Sequence, residues 1–175
     1  QFKDPEIELG DEQKIIKCEN SICQINLSIE VNYSLVNNSI IVNNADNYLV
    51  VENKPIIPMK DFIYYIAFGS RIINYSINFE NQTFYDIEIP IYVNPFLNES
   101  LDFNSSNIFP NFTYILKINN TIDNRTFLLF SFPTIFYNQS NRTAILIKSA
   151  NLQISILSPI EFLIEVEKTY DLKEN

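Results

Sequence analysis

Ile25-Asn26-Leu27-Ser28-Ile29-Glu30-Val31-Asn32 sets the terms for the whole chain. Apolar residues at 25, 27, 29 and 31 alternate with polar ones, the period of a strand that buries a single face. On the polar parity, Asn26 and Asn32 each open an Asn-x-Ser triplet. A glycan acceptor has to face solvent, so parity and sequon agree on which side points out. The stretch predicts a strand in an all-β protein with one sugar-bearing face.

Working outward, the alternation recurs. Ile40 to Val42 and Tyr48 to Glu52 predict a hairpin across the turn-rich run Asn43-Asn44-Ala45-Asp46-Asn47, and Pro55 and Pro58 mark an irregular crossing. Phe62 to Phe68 is apolar on both parities and predicts a central strand. Ile73, Tyr75, Ile77 and Phe79 alternate with Asn74, Ser76, Asn78 and Glu80. Ile87, Ile89, Ile91 and Val93 predict an edge or bulged strand, because Pro90 has no N–H for a ladder. Asn94 to Pro110 predicts a long exposed loop. Strands are then expected from Phe112 to Ile118, Thr126 to Phe132, Ala144 to Lys148, Leu152 to Leu157 and Ile160 to Glu167. No sustained helical periodicity occurs. Nine or ten short strands at this spacing predict a β-sandwich, immunoglobulin-like or pilin-like, with an extended N-terminal arm.

The arm is residues 1–17, rich in charges of both signs and interrupted by Pro5 and Gly10, and the head domain is 18–175. Cys18 and Cys23 are the only cysteines. An even count in an exported chain reads as one disulfide, closing a small loop between arm and body.

Composition narrows the function classes. With 175 residues, 46% hydrophobic and 19% charged, the chain is long and apolar enough for one packed core. There is no His, which excludes Ser-His-Asp and Cys-His nucleophile systems and His-ligated metals. Only two Gly occur, which excludes the glycine-rich loops that cradle phosphates. The net charge of −9 argues against nucleic acid and anionic membrane as partners. No apolar run approaches the ~18–20 residues of a spanning helix.

The sequons carry the positive information. Twelve Asn-x-Ser/Thr triplets begin at Asn26, Asn32, Asn37, Asn74, Asn81, Asn98, Asn104, Asn111, Asn119, Asn124, Asn138 and Asn141, none with Pro in the middle. With 24 Asn, and 21 Ser or Thr, chance supplies about three. An exported glycoprotein follows, with a leader removed before Gln1.

Catalytic chemistry is left with paired carboxylates, Asp86 with Glu88 or Glu165 with Glu167, as a secreted glycosidase would use. Acidic residues alternating with apolar ones equally describe a solvated sheet face. A lectin-like adhesion or surface-layer domain would use exposed aromatics, for which Tyr64, Tyr65, Tyr92 and Tyr137 are candidates. No Asp-x-Asp-x-Asp run proposes a calcium site, and no cofactor is expected.

In its whole-chain character the sequence resembles the thread filament subunits of thermoacidophilic archaea. The features carrying the resemblance are the arm 1–17, the body 18–175, the twelve sequons and the Asn/Ile/Tyr bias. Those subunits are glycosylated pilins that join head to tail by donor-strand complementation, as type I pilins do. The resemblance implies a non-enzymatic subunit of an extracellular, cell-surface filament, with copies of itself as partners. It also implies that the arm is a donor strand, and Ile7, Leu9 and Ile15 are the residues of one parity that would enter the neighbour's groove.

Overall fold

The computed structural model describes residues 12–96, 107–123 and 125–159. These form twelve strands: β1 (Glu12–Glu19), β2 (Ile22–Glu30), β3 (Tyr33–Val36), β4 (Ser39–Val42), β5 (Asn47–Leu49), β6 (Ile57–Ile66), β7 (Arg71–Phe84), β8 (Ile108–Phe109), β9 (Ile115–Asn120), β10 (Thr126–Pro133), β11 (Ile135–Asn138) and β12 (Thr143–Leu157). All pairings are antiparallel. The all-β, sandwich-like class is as the alternation predicts.

One sheet is organised on the long strand β12. It pairs with β7 along one side from Ala144 to Leu157, and on the other with β11 at its start and β2 from Ser149 onward. β1 extends the sheet beyond β2, and β8 extends it beyond β11. The second sheet runs β5-β6-β10-β9, and β3 and β4 form a separate hairpin. Ala144 to Lys148 and Leu152 to Leu157, expected as two strands, are one 15-residue strand, with a register shift between Ile147 and Ser149 absorbing the irregularity.

The core lies between the sheets. Ile25, Leu27 and Ile29 of β2, with Ala150, Leu152, Ile154 and Ile156 of β12, face Phe62 of β6 and Leu128, Phe130 and Phe132 of β10. Phe132 meets the rings of Phe79 and Phe130 at 5.5 Å. For β2 this is the inward parity that the sequence predicts, and the burial of the whole set is the main stabilising term.

Two expected elements form differently. Ile40 to Val42 pairs with β3, not with Tyr48 to Glu52. Asn37 takes φ 53°, closing a tight turn that joins β3 to β4, while β5 pairs with β6. The 43–47 run instead crosses between layers: Asn44 Oδ1 accepts from Asn32 N–H and Asn44 Nδ2 donates to Glu30 O. Ile87 to Val93 is not a strand. It is held by one bridge, Pro55 with Ile91, and by Ile56 N–H to Pro90 O and Tyr92 N–H to Lys54 O. Pro90 cannot donate, and Asp86 at φ 53° turns the chain away from β7.

Candidate functional site

Asp86 lies in the turn after β7, and exposed Glu88 accepts from Arg142 Nη2 at 3.0 Å. Glu165 and Glu167 lie outside the described residues. Among the described residues no group of three His, Cys, Asp or Glu is placed to hold a metal, and no helix is long and apolar enough to cross a membrane. The four tyrosines do not converge. Tyr137 is buried, donates to Ile87 O at 2.7 Å, and burial raises its pKa. Tyr64 is half-buried on the inner parity of β6, Tyr65 is exposed on the outer parity, and Tyr92 sits in the loop.

Cys18 and Cys23 form an intrachain disulfide. They are directly opposed in the β1–β2 hairpin, with Asn20 and Ser21 both at positive φ in the turn. Ile15 is in the same hairpin. It pairs with Asn26 and is exposed on the outer face of this sheet. The stretch 12–17, which the sequence reading groups with the arm, therefore belongs to β1 of this chain's own sheet. Ile7 and Leu9 lie outside the described residues.

The sequon asparagines avoid the core. Asn26, Asn32, Asn37, Asn74, Asn81, Asn111 and Asn141 are exposed, and Asn119 and Asn138 are half-buried. Asn98, Asn104 and Asn124 lie outside the described residues. At Asn138 and Asn141 the side-chain oxygen accepts from the backbone N–H two residues on, Ser140 and Thr143. Two acceptors share the outer face of the β12 sheet, where three successive rows across β2, β12 and β7 form an uncharged amide and hydroxyl ladder, followed by the charged row Glu30–Ser149–Glu80. The uncharged rows are Gln24–Ser155–Asn74, Asn26–Gln153–Ser76 and Ser28–Asn151–Asn78.

The outer face of the β6 sheet is the reverse. Ile63 is 53% and Tyr65 59% exposed. Opposite them on β10 stand Leu129 and Phe127, and Tyr65 meets Phe127 edge-on at 6.4 Å. Neither β6 nor β10 begins a sequon; Asn119, across from Phe127 on β9, is at the rim.

Among the described residues that sheet also has an incompletely paired strand. β5 covers β6 only at Ile57, Pro58 and Met59. Asp46 N–H still reaches Met59 O, and the Asp46 carboxylate then accepts from Asp61 N–H at 2.8 Å. The same carboxylate holds the ammonium of Lys60, which is 2% exposed, at 3.1 Å, and Lys60 also donates to Asn44 O. A buried ammonium needs such pairing, so the crossing is locked here and leaves β6 at Asp61. Beyond it, among the described residues, no strand pairs with 62–66 on the side away from β10. An edge strand of core composition is a template for another strand. Sequence reasoning places Phe62 to Phe68 centrally, and β6 does lie between β5 and β10, but that β5 flanks only its first residues is revealed by the register alone.

No family model matches the sequence, and no curated protein does so either. Solved structures that share the fold include two from Porphyromonas gingivalis. One, described as structural insight into zymogenic latency of gingipain K from Porphyromonas gingivalis, superposes with a TM-score of 0.61 at 10% identity, over 85% of this chain and 100% of that one. The other is a chain from the complex of Porphyromonas gingivalis RgpB pro- and mature domains, with a TM-score of 0.53 at 12% identity over 85% of each. At these identities the likeness is one of fold.

Proposed function

We propose that the chain is a non-catalytic, exported and glycosylated structural subunit whose copies join head to tail by strand addition. The acceptor is the edge of β6 at 62–66, and the donor is the N-terminal arm of the next copy, with Ile7 and Leu9 turned inward. One observation carries this reading: among the described residues, 62–66 of a strand of core composition pair on one side only, and the strand has an apolar outer face in a sheet whose two central strands begin no sequon. Each apolar side chain buried contributes about 1.5–3 kcal/mol, and each added ladder bond about 0.5–1.5 kcal/mol net. Donor and acceptor are different surfaces, so the contact does not close on itself and propagates as a fibre.

The test is Ile7→Asp with Leu9→Asp in the full chain, beside deletion of residues 1–11, which spares β1. Electron microscopy of native protein is expected to show filaments, and both variants to remain monomeric. Filaments of normal length and stability from either variant would remove the arm from the joint.

A second reading is favoured by the likeness to the gingipain K structure, which this fold covers over its full length. In that reading the same apolar face docks on a separate enzyme domain and holds it latent. It predicts a closed complex of one chain with one partner, where the filament reading predicts an open homopolymer.

A further inference from the structure

Asn26 and Asn141 are both exposed, so access to water does not tell these two sequon asparagines apart. Their backbone surroundings do. Asn26 lies inside β2 with a ladder on each side, opposite Ile15 of β1 and Gln153 of β12. Leu27, the middle residue of its triplet, is 3% exposed and belongs to the core. Ser28, the third residue, lies opposite Asn151 on the outer face. Three residues before Asn26, Cys23 is bridged to Cys18, which fastens β2 to β1.

The triplet Asn141-Arg142-Thr143 instead closes the turn between β11 and β12. Arg142 at φ 55° reverses the chain, and Thr143 N–H donates to Asn141 Oδ1 at 3.1 Å. The turn is held by groups outside the triplet. Arg142 O accepts from Ile87 N–H at 2.9 Å, and the Arg142 guanidinium meets Glu88 at 3.0 Å. In the same turn, Asn138 Oδ1 accepts from both the N–H and the hydroxyl of Ser140.

An enzyme that attaches an N-glycan reads the Asn together with the Ser or Thr two residues on. In the transfer, Nδ2 attacks the anomeric carbon of an oligosaccharide carried on a lipid pyrophosphate. The C–N bond forms, the anomeric C–O bond breaks, the lipid pyrophosphate leaves with the electron pair, and one Nδ2 proton goes to a base of the enzyme. A triplet in a turn stands out from the surface, where a cleft can close around it. Within a strand, residues i and i+2 lie flat on the sheet between their neighbours. Enclosing Asn26 and Ser28 would draw Leu27 out of the core and break the ladders on both sides. Such an opening approaches unfolding of the whole sheet.

Resting on the reading of this chain as a glycoprotein, we propose that the fold divides its acceptors by time of modification. Asn26 is a site of the unfolded chain alone, filled before β2 pairs with β1 and β12. Asn141 is a site of the finished fold as well, open to a glycan-transferring enzyme after the core has formed. The amide face is thus clothed during export, whereas the sugar at the β11–β12 turn can be added to the folded protein.

The test uses full-length chain made without glycans, with the Cys18–Cys23 bridge closed, beside two peptides, 20–32 and 136–147, as unfolded references. Each is incubated with a lipid-pyrophosphate-linked oligosaccharide and an oligosaccharyltransferase that modifies both peptides, and occupancy is read by peptide mapping. Asn26 is expected to react at least about ten-fold more slowly in the folded chain than in its peptide, and Asn141 to stay within about three-fold of its own. Asn26 reacting as fast in the folded chain as in its peptide would overturn the inference, and so would Asn141 left bare in the folded chain. The glycoprotein reading is tested separately by intact mass: native protein at the bare 20.4 kDa rejects that reading, whatever the two sites show.

Discussion

Turned away from the same core, the outer faces of the two sheets are chemical opposites. On the β12 sheet three rows of Asn, Gln and Ser run across β2, β12 and β7, and the face carries the acceptors Asn26 and Asn74. On the β6 sheet Ile63, Tyr65, Phe127 and Leu129 form a contiguous apolar surface without an acceptor on its central strands. A monomer gains nothing from holding such a patch in water, and the proposed joint would bury it. Glycans on Asn26 and Asn74 would keep the amide face from packing against another surface. In a chain crowded with sequons, the place they avoid is as informative as the places they occupy.

The largest expected effect separates the inside of the β6 sheet from its outside on a single strand. Phe130→Ala removes a fully buried ring from the core and is expected to cost about 3–5 kcal/mol of stability. The adjacent Leu129→Ala, on the outer face, is expected to cost the monomer less than about 1 kcal/mol. Urea unfolding of the two variants checks the pair. Similar losses would mean that the outer face is not a surface in the free chain.

Next comes a substitution that gives the apolar face the character of the other one. Leu129→Asn creates a new Asn-x-Ser triplet ending at Ser131. Expressed where glycans are attached, the variant is expected to gain mass, fold, and lose assembly. Filaments incorporating the glycosylated variant would show that this face is not buried in the polymer. The smallest effect is expected on the amide ladder: Asn26→Gln with Asn74→Gln should lower the mass by two glycans and leave assembly unchanged. Intact-mass measurement with microscopy reads both, and loss of filaments would give the polar face a structural role that the comparison denies it.

Much of this contrast was legible in the residues. The β2 alternation placed Ile25, Leu27 and Ile29 in the core and Asn26 outside, as the burial shows. The Cys18–Cys23 bridge followed from count and compartment. How far β5 runs beside β6 was not legible, because a strand apolar on both parities reads the same whether a neighbour flanks all of it or only part. What decides between these is where β5 stops, and that depends on the Asp46 carboxylate capping Asp61 N–H, a contact across the fold with no local sequence signal. The β3–β4 hairpin was missed for a similar reason. Asn37-Asn38 and the 43–47 run carry equally good turn residues, and only pairing chooses between them. Ile87 to Val93 shows the converse, where a strand pattern yields to Pro90 and a turn at Asp86.

Hydroxyl-radical footprinting of native assemblies against dissociated monomer tests the central claim most directly. Tyr65 and Tyr85 are both exposed in the single chain, one on the apolar face and the other just past β7. The proposed joint predicts that labelling of Tyr65 falls several-fold on assembly while Tyr85 keeps its reactivity. Tyr65 labelled as strongly in the assembly as in the monomer would contradict the β6 sheet as the surface through which this protein works.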